Sequence, residues 1–481
     1  NAEIRYDWKS IDSKENPIKI DDLKFPKNFT WGVATSAHQV DGNCNCQWIP
    51  FENRKNWRGK QCIEQSGIAC DHWNLYKDDT KLIKNLGVSS YRFSIEWSKI
   101  EPVEGEFDED AIQHYHDMID YLLANNIKPM ITLHHFTHPI WFEDKQAFEH
   151  EENIEYFVRY CTKMFKEFSD KVHMWCTINE PGVYAFQGYI MAAFPPAKKS
   201  LQLAGIVNKH LILSHIAAYK AMKAMPNGDK SKIGITHSIT IFDPENPNNA
   251  FETWLSNNIN HTFYDAFLQF FVTGKFQFKA PKLLGLLLSG NPYMMLLKPT
   301  TSAPFIKLEL ESNVEFDYSE ISDKPYDAND ILDFFGVQPY SHVLVDITNL
   351  KAETEPTLRE GGIKTDMPYS IYPEIMERAI NVASYIGVPI IVTENGIADD
   401  KDDRRELYIR RHLYALSKVI EKGYDVRGYY YWSLMDNFEW AMGYGKKFGL
   451  YEVDFATQKR TLRTGGKYYK DFVEYQNSLK Q

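Results

Sequence analysis

Two glutamates in similar settings are the residues of this chain whose types and positions best suit them for chemistry. Glu180 follows an apolar run at residues 174–178, and Glu394 follows another at residues 389–393; Pro181 and Gly396 then interrupt the pattern. A short apolar run that ends at such breakers is typical of a buried strand. Cleavage of a glycosidic bond is the reaction that most needs two carboxyl groups. The sequence therefore predicts a two-carboxylate site at the ends of two distant strands.

The elements that must position these glutamates alternate between strand-like and helical patterns. Strands are predicted at residues 29–34, 90–95, 128–134, 172–179, 232–238, 334–337, 389–393 and 428–432. Helices are predicted between them at residues 73–86, 110–125, 154–169, 206–224, 372–386 and 406–422. Eight such strands indicate an α/β fold, a single (β/α)₈ TIM barrel with elaborated βα loops. We expect an N-terminal extension over residues 1–24, the barrel over residues 25–475, and an irregular connection over residues 240–330.

Composition limits the classes of partner. The chain has 481 residues, 43% of them apolar and 25% charged, as in ordinary globular proteins. Its net charge of −11 argues against nucleic acid or a polyanionic substrate as a partner. No apolar run reaches the roughly 18 residues of a membrane span, and residues 283–297, the most apolar stretch, contain Gly285 and Pro292. We expect this stretch to pack on the barrel wall, with a hydrophobic acceptor or lipid-like aglycone as the alternative. The oligomeric state is left open.

The six cysteines allow more than one interpretation. Four of them fall within residues 44–70, where reduced thiols are favoured over one or two disulfides. The Cys44-x-Cys46 pair lacks the spacing of a zinc site, so no metal and no cofactor are expected. A cytoplasmic location is favoured. Secretion stays open because there is no initiator Met, the cysteines are clustered, and Asn28 and Asn260 lie in glycosylation sequons.

Polar and aromatic side chains are concentrated at the predicted strand ends. In a barrel these ends meet on one face, which carries the active site. Arg92, at the end of another strand, can hold Glu394 as an anion, and Tyr340 can donate a hydrogen bond to it. Asn179, next to Glu180, is placed to bind a sugar hydroxyl. The two glutamates are thus predicted to have different protonation states.

Five segments resemble those of glycoside hydrolase family 1: residues 29–35, 91–95, 177–181, 392–396 and 431–440. The resemblance extends from about residue 25 to residue 475. It implies a (β/α)₈ barrel with Glu180 as acid/base and Glu394 as nucleophile, supported by Arg92 and Tyr340. It also implies a glycone subsite of Gln39, His135, Asn179, Glu439 and Trp440, with Trp432 as sugar platform and Phe448 lining the pocket.

The activity that the resemblance implies is retaining hydrolysis of terminal β-D-glucosyl residues, with galactosyl and fucosyl residues as alternatives. A transglycosylase on the same site, or a glycan-binding pseudoenzyme, would be the other classes, and the second is disfavoured because both glutamates are present. Glu180 distinguishes the chain from myrosinases, which have Gln there. Glu439 distinguishes it from phospho-β-glycosidases, because a carboxylate would repel a sugar phosphate. Departures from the family pattern are Gln338 in place of Asn, His38 before Gln39, and Phe136 in place of Trp.

Overall fold

A closed barrel of eight parallel strands forms the centre of the molecule. The structure is a computed structural model that describes residues 2–289, 309–348 and 356–481. Neighbouring barrel strands follow chain order, and the last pairs with the first. The strands are β1 Thr30–Ala34, β2 Ser90–Ser94, β3 Lys128–His134, β4 Met174–Asn179, β5 Lys232–Ser238, β6 Phe334–Gln338, β7 Ile390–Asn395 and β8 Val426–Trp432. The predicted α/β barrel is confirmed.

Helices surround the barrel and connect its strands. Those that cover it are His72–Leu86, Glu109–Ala124, Ile154–Phe168, Leu201–Lys223, Ile375–Ser384, Arg405–Glu421 and Thr464–Ser478. Shorter α-helices are Trp8–Ile11, Ala37–Val40, Trp48–Glu52, Trp97–Ile100, Ile140–Asp144 and Pro181–Tyr189. Leu201–Lys223 begins earlier than the predicted residue 206 because Ser200 caps it: the Ser200 hydroxyl accepts a hydrogen bond from the backbone N–H of Leu203.

The core follows from the two periodicities of the sequence. Every residue of β2 and β7 is buried, as expected for parallel strands covered on both faces. Helix Ile154–Phe168 instead buries one face, with Phe157, Cys161, Phe165 and Phe168 at helical spacing. Neighbouring strands of the barrel pack closely: a Cβ added at Gly234 on β5 would lie 2.4 Å from the backbone carbonyl oxygen of Phe334 on β6. The strands are therefore held in a tightly packed cylinder that fixes where their ends lie.

The prediction that residues 240–330 are irregular was wrong for the described part. It contains helices Ala250–Asn260, Ala266–Thr273 and Lys282–Ser289, a π-helical turn at His261–Asp265, and an antiparallel ribbon of Lys275–Ala280 with Ser312–Asp317. Strand Ile241–Pro244 pairs with His342–Val345 outside the barrel. Leu284 is buried, whereas Leu283, Leu286 and Leu287 are exposed. Residues 290–297 of the apolar stretch lie outside the described residues.

The N-terminal segment contacts the barrel helices. The buried carboxylate of Asp12 accepts hydrogen bonds from the guanidinium groups of Arg410 and Arg411. Near the other terminus, strands Tyr451–Asp454 and Lys459–Leu462 form a hairpin before the last helix. Within the described ranges, no helix has both the length and the apolar composition needed to cross a membrane.

Candidate active site

The C-terminal end of the barrel gathers the residues that the sequence analysis selected. Arg92 and Glu394 lie within β2 and β7, Asn179 and Trp432 end β4 and β8, and His135 directly follows β3. The others lie on the connections that leave this end of the barrel: Gln39, Glu180, Tyr340, Glu439, Trp440 and Phe448. The closed barrel therefore brings residues from the whole length of the chain onto one face.

Glu394 is buried between a cation and a phenol. Arg92 Nη1 donates to its Oε2 at 2.7 Å, and the Tyr340 hydroxyl donates to its Oε1 at 2.5 Å. Burial raises the pKa of Glu394, while the Arg92 charge and both hydrogen bonds act in the opposite direction. This is a setting that stabilises a carboxylate anion.

Glu180 lies in a different environment. It follows β4 in a left-handed conformation with φ of 42° and begins helix Pro181–Tyr189. Its Oε2 accepts a hydrogen bond from Gln338 Nε2 at 2.7 Å, and no described cation forms an ion pair with it. Burial, together with the charge of Glu394, raises the pKa of Glu180 well above its usual value. Glu180 is therefore suited to be protonated while Glu394 is ionised.

Asn179 links the two glutamate environments through its side-chain oxygen. Asn179 Oδ1 accepts from Arg92 Nη2 at 2.6 Å, from Thr236 Oγ1 at 3.1 Å and from Gln338 Nε2 at 3.2 Å. Its buried Nδ2 has no hydrogen-bond partner among the described residues. A buried donor without a partner is costly, so this amide is suited to bind an acceptor on a ligand.

Gln338, the departure whose contacts the sequence left open, lies between the glutamates. Besides donating to Glu180 and Asn179, its Oε1 accepts from Thr393 Oγ1 at 2.9 Å. Thr393 directly precedes Glu394, so Gln338 connects the ends of the two strands that carry the glutamates. Although Gln338 is one methylene longer than the Asn of the family pattern, its amide still contacts Glu180 and Asn179.

Gln39 and Glu439 form the polar part of the predicted glycone subsite. Gln39 Nε2 donates to Asn437 Oδ1 at 3.1 Å and to the Phe438 carbonyl at 2.8 Å, and lies 3.5 Å from Glu439 Oε2. Burial and the charge of Glu394 raise the pKa of Glu439 to about 8, although Gln39 opposes this. Asn437 was missed by the sequence analysis, although it lies between predicted site residues.

His135 stacks between two tryptophans. Its ring is 5.8 Å from that of Trp432 and 6.1 Å from that of Trp440, tilted by 17° and 13°. Burial and the Arg92 charge lower its pKa well below the usual value, so the imidazole is neutral. Its Nδ1 has no partner among the described residues. Phe448 packs edge-on against Tyr340, with ring centroids 6.2 Å apart.

Comparison with known proteins agrees with this geometry. The model of glycosyl hydrolase family 1 matches residues 22–478. The chain belongs to glycosyl hydrolase family 1. Similar proteins include beta-glucosidase A of Thermotoga maritima, 30% identical over 94% of this chain and 98% of its own. Another is a beta-galactosidase of Pyrococcus woesei, 29% identical over 91% of this chain and 94% of its own. A solved beta-glycosidase from Pyrococcus horikoshii is 34% identical, with a TM-score of 0.75, covering 94% of this chain and 96% of its own.

As a family 1 member, the chain is an O-glycoside hydrolase, and the candidate site is at the C-terminal end of the barrel. A cavity of about 1020 Å³ opens at the opposite end, lined by strand-start residues such as Thr30, Lys128 and Lys232. Its carboxyl groups, Asp333 and Asp425, are both paired with cations, Lys223 and Arg427, so neither is suited to hold a proton for an acid step. In TIM barrels the N-terminal face contributes to stability rather than catalysis. The candidate site is therefore assigned by the contrasting environments of Glu180 and Glu394, and not by the volume of a cavity.

Two of the three histidines at the end of β3, His134 and His138, belong to a hydrogen-bonded chain. His134 Nε2 lies 3.0 Å from His138 Nδ1, and His138 Nε2 contacts Glu143 at 2.5 Å. His135 points instead toward the tryptophans.

Proposed function

We propose that this family 1 hydrolase removes terminal β-D-glucosyl residues from unphosphorylated β-glycosides, with retention of the anomeric configuration. The observation that carries the proposal is the contrast between the two glutamates. Glu394 is paired with Arg92 and Tyr340. Among the described residues, the Glu180 carboxyl accepts a hydrogen bond only from the neutral Gln338 amide, and its pKa is raised. Two carboxyl groups with separated roles are what double displacement requires.

In the first step, a Glu394 oxygen forms a bond to the anomeric carbon while the bond from that carbon to the aglycone oxygen breaks. The proton of Glu180 moves to this leaving oxygen, so the aglycone departs as an alcohol. Arg92 and Tyr340 orient the Glu394 carboxylate by holding its two oxygens at 2.7 and 2.5 Å. In the second step, Glu180 removes a proton from water, the water oxygen bonds to the anomeric carbon, and Glu394 is released.

The closeness of the two carboxyl groups supports retention. Burial and the charge of Glu394 raise the pKa of Glu180, and the effect of the charge requires the two groups to be near each other. Gln338 connects their strand ends, because its Nε2 donates to Glu180 at 2.7 Å and its Oε1 accepts from Thr393, the residue before Glu394. This closeness favours the carboxyl separation of about 5 Å in retaining enzymes over the roughly 6.5–9.5 Å of inverting ones.

The polar groups facing Glu394 support a neutral hexopyranose as the glycone. We assign Gln39 and Glu439 to adjacent hydroxyls, and the unpartnered Asn179 Nδ2 and His135 Nδ1 to two further oxygens. Trp432, Trp440 and Phe448 would pack against the sugar, and Tyr340 would border the anomeric centre. Glucose is favoured by the names of relatives such as the Thermotoga maritima enzyme, and galactose is the alternative from the Pyrococcus woesei enzyme.

The test compares Glu180→Gln and Glu394→Gln on a dinitrophenyl β-glucoside and on an alkyl or natural β-glucoside. A dinitrophenolate leaves without protonation, so E180Q should keep much of the glycosylation rate on that substrate and lose several orders of magnitude on an alkyl or natural glucoside. E394Q should lose activity on both. Equal losses on both substrates in E180Q would refute its role as proton donor.

The stereochemistry and substrate need separate readouts. ¹H NMR of the first-formed sugar should show the β-anomer, and an α-product would refute retention. A panel of glucoside, galactoside, fucoside and 6-phosphoglucoside should show the glucoside as best and the phosphorylated sugar as inactive. The same NMR assay with an added alcohol measures transfer against hydrolysis.

A further inference from the structure

A buried cluster of metal-ligand side chains lies beside the glycone-side residues. His38 is in helix Ala37–Val40, Cys44 is in the loop that follows, and Glu96 comes just after β2. One donor atom from each of the three lies within 4.8 Å of the others, and all three side chains are buried. A fourth donor, Cys46, places its Sγ 3.5 Å from His38 Nδ1. The closed barrel thus joins ligands that sequence spacing alone does not pair.

The sulfur–nitrogen separation is that of a tetrahedral zinc site. Zinc binds thiolate sulfur at about 2.3 Å and imidazole nitrogen at about 2.0–2.1 Å, which at tetrahedral angles separates the two ligands by about 3.5 Å. Cys46 and His38 already have this separation. The donor atoms of His38, Cys44 and Glu96 lie within 4.8 Å of one another, so about 1 Å of movement would bring these three to the ligand separations of one zinc ion.

The groups around His38 orient it as a ligand. His38 Nε2 lies 2.7 Å from Glu52 Oε2, and the other Glu52 oxygen accepts from the backbone N–H and hydroxyl of Ser66. With Nε2–H donated to Glu52, the lone pair of His38 is on Nδ1, which faces Cys46. A carboxylate that holds the far nitrogen of an imidazole is the usual support of a metal-binding histidine.

Glu96 and the local charge also fit a divalent cation. Its Oε1 accepts from the hydroxyl of Ser98 at 2.8 Å and from the backbone N–H of Ser98 at 3.4 Å. Its Oε2 accepts from Thr137 Oγ1 at 2.8 Å and keeps a further lone pair for a cation. Two thiolates and Glu96 would exceed the charge of the ion by one, and Lys99 lies within electrostatic range of Cys44. A cavity of about 570 Å³ lined by Asp41, Asn43, Asp71 and Asp110 adjoins this loop and offers a cation an acidic entry.

We propose that His38, Cys44, Cys46 and Glu96 bind one Zn²⁺ ion. Thiolate, imidazole and carboxylate ligands in tetrahedral arrangement suit zinc. The ion would fix the loop after β1. It would also fix the position of Trp440 in the proposed glycone subsite, because the His38 ring stacks on Trp440 with centroids 5.7 Å apart. This site is independent of the proposed hydrolysis.

The test uses the full chain, stripped of metal under reducing conditions, incubated with Zn²⁺ alone and dialysed. Elemental analysis should find one zinc per chain, with a higher Tm than the stripped protein. Co²⁺ in place of Zn²⁺ should give a thiolate-to-cobalt charge-transfer band, which needs no variant. Cys44→Ser and Cys46→Ser should each lose the band and at least tenfold in zinc affinity. Cys62→Ser, which removes a thiol outside the ligand set, should keep both. A stripped wild type that retains no zinc and shows no cobalt band overturns the proposal, as does equal binding in the C44S/C46S double variant.

Discussion

Replacing Gln338 by leucine should move the alkaline limb of the activity profile to higher pH. In the proposed mechanism that limb reports loss of the proton from Glu180 in the free enzyme, measured as kcat/KM against pH. The Gln338 amide stabilises the ionised form of Glu180, because it donates to Oε2 at 2.7 Å. Without it, ionisation is less favourable and the pKa of Glu180 rises further.

The size of the shift follows from the charge on the acceptor. A hydrogen bond from a neutral donor to a charged group contributes about 1.5–3 kcal/mol. One pKa unit corresponds to about 1.4 kcal/mol, so the alkaline limb of Q338L should lie about 1–2 units above that of the wild type. The acid limb, which reports Glu394, should move less, since Arg92 and Tyr340 still bind that carboxylate.

The assay is kcat/KM on a nitrophenyl β-glucoside from pH 4 to 10, with Thr393→Val and Gln47→Leu beside Q338L. T393V removes only the contact to Gln338 Oε1 and should give a smaller shift in the same direction. Gln47 is also a buried amide, but it bonds the backbone of Phe136 and His138, so Q47L should leave both limbs in place. An alkaline limb in Q338L that stays fixed or moves to lower pH would refute the reasoning.

Two further predictions concern stability. The pKa of Glu439 is raised to about 8 in the folded protein. Between about pH 4.5 and 8 its carboxyl is therefore protonated in the folded state and ionised in the unfolded state. Folding takes up a proton in this range, so the free energy of unfolding falls as the pH rises. The fall in Tm from pH 5 to pH 8 should therefore be smaller in Glu439→Gln than in the wild type, and an equal or larger fall would contradict the raised pKa. Asp12→Ala should lower the free energy of unfolding by about 3 kcal/mol in urea titrations, because it leaves Arg410 and Arg411 without their buried carboxylate. Glucosidase activity at 25 °C should stay within twofold, and a D12A variant as stable as the wild type would show that the N-terminal segment contributes little to the fold.

Sequence periodicity predicted the barrel because each barrel strand is a short, nearly continuous apolar run between breakers. Residues 128–134 and 232–238 were predicted with the bounds that β3 and β5 have. Residues 275–280 were missed although a signal was present: Phe276, Phe278 and Ala280 alternate with exposed polar residues. The larger irregular region around this segment concealed a two-residue period that a local count would have detected.

The site could be predicted only as far as residue type and strand-end position allow. Glu180, Glu394, Arg92 and Asn179 follow from that rule, because a barrel places all its strand ends on one face. The contacts of Gln338 do not follow from it, since reaching Glu180 depends on the relative height of β4 and β6 around the barrel. The His38–Cys44–Glu96 cluster likewise joins two connections that sequence spacing does not relate.

The orientation of the Asn179 amide shows what the folded barrel adds to the sequence. Three donors from three strands converge on Asn179 Oδ1: Arg92 from β2, Thr236 from β5 and Gln338 from β6. Turning the amide over would direct its N–H groups at the Arg92 guanidinium and would leave these donors unpaired, so the network fixes one orientation. Nδ2 is then left as the unpartnered donor. Arg92 therefore has two effects in the proposed mechanism: it holds Glu394 ionised, and through Asn179 it directs an N–H group toward the sugar that Glu394 attacks.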